Sequence, residues 1–182
     1  MKSDSFQRYD YYLIGETHPD SRCTDLQKII DMYVSHTFLL ECLKQLDVKN
    51  FYQEGALIRE LGDSEATLKP EVRERIELAN KRKIKFHWLD EGIKEYILIR
   101  KMNSEGRMFT REWFILQKKR REKWYEKITK ESIICVGLWH VPYLFKELSQ
   151  RGSCYLYPKN WWDNPTLQAV LNLQSKVLGE CL

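Results

Sequence analysis

The chain predicts an α/β fold: a mainly parallel central sheet with helices on both faces, formed as one domain over residues 1–182. Three observations carry this expectation. Short apolar runs alternate with longer segments of helical spacing, the pattern of repeated βαβ units. The length of 182 residues suits one domain with a sizeable core. Hydrophobic residues at 43% and charged residues at 31% give a globular rather than a disordered balance.

The elements follow in order. Residues 1–8 read as a flexible polar lead-in, and a first strand spans about 10–15. Pro19-Asp20-Ser21 is a turn, and Thr24 or Asp25 caps a helix in which Leu26, Ile29, Ile30, Tyr33 and Val34 keep helical spacing. His36–Glu41 satisfies a strand pattern too. Helix is preferred there, because Lys49–Gly55 makes a better second strand, leaving open whether Glu41 or Glu54 ends it. Residues 55–69 read as a surface excursion. Pro70 opens a helix striped by Val72, Ile76 and Ala79, and Lys81-Arg82-Lys83 complements the dipole at its end. A third strand, Ile84–Leu89, runs into Asp90-Glu91-Gly92. Residues 93–130 are helical with a break near 103–106, and a further strand runs from Ile133 into Gly137. A helix over 141–150 is stopped by Arg151-Gly152, Cys154–Tyr157 is a last strand, and Asn164-Pro165 opens a terminal helix.

Composition narrows the function classes. A net charge of +4 permits contact with nucleic acid without arguing for it. Five widely spaced cysteines with no C-x-x-C suit a reducing compartment better than a disulfide scaffold. The first residues lack the apolar core of a signal peptide, and no stretch has the run of apolar residues a membrane span needs, so a cytoplasmic protein is expected.

Two stretches carry chemistry. Leu13-Ile14-Gly15-Glu16-Thr17-His18 is an apolar run that ends in glycine and then offers a carboxylate, a hydroxyl and an imidazole. Cys135-Val136-Gly137-Leu138-Trp139-His140 repeats the Gly-x-x-His ending. Glycine lets the backbone turn tightly as it leaves a strand. In open α/β sheets, ligands bind beyond the carboxyl ends of the strands. His18, His140, Glu54 and Asp90-Glu91 all fall at that predicted edge. Two histidines with carboxylates suit a divalent metal such as manganese, cobalt or zinc, and equally suit metal-free acid–base hydrolysis. The bland alternative for each is a helix-capping or polar loop residue.

Together with the Glu54 strand end, Arg111 on a helix and the following Val141-Pro142-Tyr143-Leu144, these two stretches resemble the superfamily of Tiki/TraB proteins, erythromycin esterases and haem-binding uptake proteins. The resemblance covers about residues 11–157. It implies an α/β fold and a hydrolase of an amide or ester bond in a small molecule or peptide. Glu16, His18, Glu54 and His140 would be catalytic residues or metal ligands, and Arg111 would stabilise developing negative charge. Bulky Leu138-Trp139 departs from the small residues common in that family. Members that bind haem imply a second reading, in which Trp88, Trp139 and Tyr143 line a flat pocket beside the histidines. A third uses Lys118-Lys119-Arg120-Arg121 with Trp124-Tyr125 as a nucleic-acid patch, although such a run on a helix is more often a solvated face. His36 and His87 read as structural or exposed. The sequence does not fix the oligomeric state.

Overall fold

The structure, a computed structural model, describes residues 8–16, 26–160 and 163–179. Five strands run in the order β1 (Tyr11–Glu16), β2 (Asn50–Gln53), β3 (Lys85–Trp88), β4 (Ser132–Gly137) and β5 (Cys154–Tyr157). Six helices separate or follow them: α1 (Leu26–Gln45), α2 (Pro70–Lys81), α3 (Lys94–Ser104), α4 (Arg111–Lys127), α5 (Val141–Arg151) and α6 (Pro165–Leu178). Every strand pairing is parallel, and the spatial order is β3-β2-β4-β1-β5. The expected α/β architecture is therefore present, and the ambiguous 36–41 segment belongs to α1.

Alternation along the strands divides the core into two layers. Tyr12, Ile14, Phe51, Ile133 and Cys135 pack against Leu39 and Leu43 of α1 and Ala79 of α2. Tyr11, Leu13, Ile134 and Val136 face the other way, onto Trp124, Leu144, Leu148 and Leu167 of α4, α5 and α6. An outer cluster of Ile99, Met102, Trp113 and Phe114 fastens α3 to α4.

This arrangement follows from handedness. The crossover from β1 to β2 and that from β4 to β5 travel in opposite directions along the sheet, so their right-handed paths put the helices on opposite faces. The chain thus leaves the carboxyl ends of neighbouring strands β1 and β4 toward opposite sides, which opens a crevice between them. Gly15 is packed tightly there: a Cβ on it would lie 2.7 Å from Val141 and 2.8 Å from Leu138. Among the described residues, no helix is long and apolar enough to cross a membrane.

Candidate functional site

The carboxyl ends of the strands carry two buried polar networks, one on each face of the sheet. The first gathers residues that follow β2, β3 and β4 around Arg120 of α4. Asp90 accepts from Arg120 Nε at 2.6 Å, Arg120 Nη2 at 2.6 Å, Trp124 Nε1 at 2.9 Å and the Gly55 amide at 2.8 Å. Glu54 accepts from Arg120 Nη2 at 2.9 Å and, through its other oxygen, from the Gly137 amide at 2.5 Å. Arg120 Nη1 donates to Gln117 at 3.0 Å, and its guanidinium lies against the rings of Trp124 and Tyr96. Gly55, at φ +111°, adopts a backbone conformation that side-chain-bearing residues avoid, which brings its amide to Asp90.

His140 completes this group. Its Nε2 lies 3.2 Å from Glu54 Oε1, its ring is packed on Trp139 and Trp124, and it has no solvent exposure. Among the described residues, its Nδ1 has no hydrogen-bond partner. Burial lowers the His140 pKa to about 4, although Glu54 opposes the shift, so the imidazole is neutral near pH 7. Burial also works against the Arg120 charge, but Glu54 and Asp90 more than offset it and its pKa is raised.

The second network lies under α1 and α2. Glu16 continues the Tyr12–Ile14 face of β1 and meets Arg75 of α2 in a bidentate pair, with one contact at 3.0 Å. Arg75 also donates to Gln53 at 3.0 Å, to His36 Nδ1 at 3.1 Å and to the Cys135 sulfur at 3.6 Å. His36 contacts Glu74 through its other nitrogen at 3.0 Å. Burial drives the Cys135 thiol pKa well up, so it is not a nucleophile at neutral pH.

The expected site residues are thus distributed rather than gathered. Glu54 and His140 meet. Glu16 is at the same strand edge but on the opposite face, because β-alternation turns it toward α2. Arg111 is exposed in the first turn of α4, and the buried guanidinium near the carboxylates is that of Arg120 on the same helix. His18 and Thr17 lie outside the described residues. Among those described, no three histidine, cysteine or acidic side chains group to hold a metal. Comparison with protein-family models, characterised proteins and solved structures found no match.

Beyond the ends of β1, β4 and β5 lies a cavity of about 420 Å³, lined by Gly15, Leu138, Tyr157, Ser35, Asp31 and Asn160 among others. Its size is that of a small-ligand site. The aromatic rings expected to flank a planar ligand are occupied by protein. Trp139 stacks on Trp113 at 5.3 Å, Tyr143 carries the Arg121 guanidinium at 3.9 Å, and Trp88 packs edge-on against Phe86 at 5.0 Å. The basic run on α4 is not a four-cation surface patch: Arg120 and Arg121 are buried, with Trp124, and only Lys118 and Lys119 are outside. This follows from spacing, since Trp113, Gln117, Arg120, Arg121 and Trp124 share one helix face.

Arg75 and Arg120, the hubs of both networks, were not anticipated. The stripe bounded by Trp113 and Trp124 was the available signal for Arg120. Arg75 sits four residues before Ala79, on a helix otherwise rich in charge, and the sequence offers no comparable signal. His36 is buried and belongs to the Arg75 network. His87 stacks on Tyr52 at 4.7 Å on the sheet and contacts Asn50 at 3.0 Å.

Proposed function

We propose that this chain is a hydrolase of an amide or ester bond in a small molecule or peptide, with substrate entering beyond the carboxyl ends of β1 and β4. The observation that carries the reading is the Glu54–His140 pair: a neutral buried imidazole is oriented by a carboxylate, and its other nitrogen has no partner among the described residues. A buried acceptor left unmet costs on the order of 1–3 kcal/mol, a cost that a reacting group entering the site would relieve.

In the proposed tautomer, Nε2 donates to Glu54, 3.2 Å away, and Nδ1 carries the lone pair. Arg120 Nη1, a donor 3.5 Å from the same Nε2, favours the opposite tautomer, and the shorter contact to the carboxylate is taken to prevail. In the proposed reaction, Nδ1 takes a proton from water as the oxygen adds to the carbonyl carbon. The imidazolium, stabilised by Glu54, returns that proton to the leaving amine or alcohol as the scissile bond breaks. Arg120, fixed by Asp90 and Gln117, holds the Glu54 carboxylate in place and is a positioning residue. His140 is sealed in the resting fold, so substrate entry displaces a neighbouring group. The resemblance also implies a metal. Among the described members of its ligand set, Glu16 is held by Arg75 and Glu54 by Arg120, on opposite faces. They do not fit one ion.

The test is turnover of a p-nitrophenyl ester, a peptide amide and a lactone by the purified chain. His140→Gln and Glu54→Gln each lower kcat by about 10²-fold or more, the range of a positioned acid–base group. No turnover in any of the three classes, or turnover unchanged in both variants, refutes the proposal.

A further inference from the structure

At the other end of β1, away from the crevice, four aromatic rings and a carboxylate surround a second cavity. It has a volume of about 380 Å³ and lies between the start of β1, edge strand β5 and the second half of α1. Tyr9, Tyr12 and Tyr155 form one wall, with ring centroids 5.4–6.0 Å apart and planes inclined by 44–77°. Phe38 of α1 stacks on Tyr157 at 3.9 Å, which covers that face of its ring, and lies 6.3 Å from Tyr155. Glu41 stands one helical turn further along α1. Glu41 is the charged side chain in the lining, and its carboxylate is paired with Lys44 at 2.8 Å.

The chemistry of such a lining is selective. Tyrosine and phenylalanine faces carry negative quadrupolar charge and attract cations, most strongly those that are weakly hydrated and partly apolar. The surface is mainly apolar, so a small hydrated ion gains little there and an alkylated ammonium gains on both counts. The Tyr155 ring already attracts a cation of this chain, with Lys159 Nζ at 5.8 Å from its centroid. Glu41 keeps its charge: hydrogen bonds from Lys44 and Gln45 hold its pKa below the ordinary value.

We propose that this aromatic recess binds an organic cation bearing a quaternary or alkylated ammonium group, with the cation against the wall of Tyr9, Tyr12 and Tyr155 and the carboxylate of Glu41 at its rim. This site does not depend on the hydrolase reading, since its residues come from the amino end of the sheet.

The probes are choline and its neutral isostere 3,3-dimethylbutanol, titrated into the full chain by calorimetry and by chemical-shift changes at the Cys42 and Phe38 amides. Choline is expected to bind with shifts confined to this recess, and the neutral isostere at least about tenfold more weakly. Glu41→Gln, at an exposed helical position that leaves the core intact, weakens choline severalfold, and Tyr155→Leu weakens it by about tenfold or more. Equal binding of the two probes, no choline binding at tens of millimolar, or binding unchanged in Glu41→Gln overturns the proposal.

Discussion

Asp90→Ala tests whether the Arg120 network holds the carboxyl end of the sheet together. Asp90 has 2% exposure and accepts four hydrogen bonds, two from Arg120, one from Trp124 and one from the Gly55 amide. Its removal leaves a guanidinium with 3% exposure whose remaining oxygen acceptors, among the described residues, are Glu54 and Gln117. Breaking a buried ion pair from one side costs about 3–5 kcal/mol. The indole and the Gly55 amide each lose a partner, at roughly 1–3 kcal/mol apiece. These costs overlap, and Glu54 retains part of the Arg120 charge, so about 4 kcal/mol is expected in sum. A domain is stable by only about 5–15 kcal/mol, so the variant is folded but fragile. At about 2–4 °C per kcal/mol for a chain of this size, the melting point drops by about 8–16 °C. Urea unfolding followed by tryptophan fluorescence reads the change, because Trp124 is buried in the same network. Lys119→Ala, on the exposed face of α4, stays within about 0.5 kcal/mol of the parent. A loss below about 1 kcal/mol in Asp90→Ala would falsify the assignment of this network as a structural hub.

Two further outcomes are expected. Because the His140 pKa is held at about 4 in the fold and its ordinary value is 6.5, the unfolded chain protonates first as the pH falls between them. The group has no effect above about pH 6.5 and removes up to about 3 kcal/mol of stability by pH 4. His140→Gln abolishes this part, so the stability difference between parent and variant changes by roughly 2 kcal/mol between about pH 7 and pH 4.5; a constant difference in urea titrations contradicts it. Gly15→Ala forces a methyl to within 2.8 Å of Val141 and Leu138, an overpacking worth about 1–3 kcal/mol in thermal unfolding, and a neutral result contradicts the close approach.

Local patterns located the elements well. Proline at Pro70 and Asn164-Pro165 mark helix starts in the structure, Gly152 follows the end of α5, and the apolar runs at Leu13 and Ile133 are buried strands. Strand order was less legible, because nothing local tells β1 that its neighbours are β4 and β5. The site suffered from the same limit. Glu54 and His140 were named from strand endings and do meet, since both follow adjacent strands. Glu16 was grouped with them because an edge is visible in sequence while a face is visible only through strict alternation. The resemblance points to Arg111, whereas the arginine buried beside the carboxylates is Arg120, on the Trp113–Trp124 stripe.

The interior position of β1, between β4 and β5, has a consequence for how the chain reaches this structure. Its pairing partners begin at Ser132 and Cys154, so its ladder closes only across most of the chain. Loop-closure entropy makes such pairings late and slow. Until then, Tyr11-Tyr12-Leu13-Ile14 is an uncharged, strand-prone segment without its neighbours, the kind of stretch that seeks other chains. Made before α1, β2, α2 and β3, it waits for β4 while they are completed. Among the described strands, the first to be made is thus one of the last to be shielded on both edges, and a nascent chain stalled before β4 leaves its most adhesive segment bare.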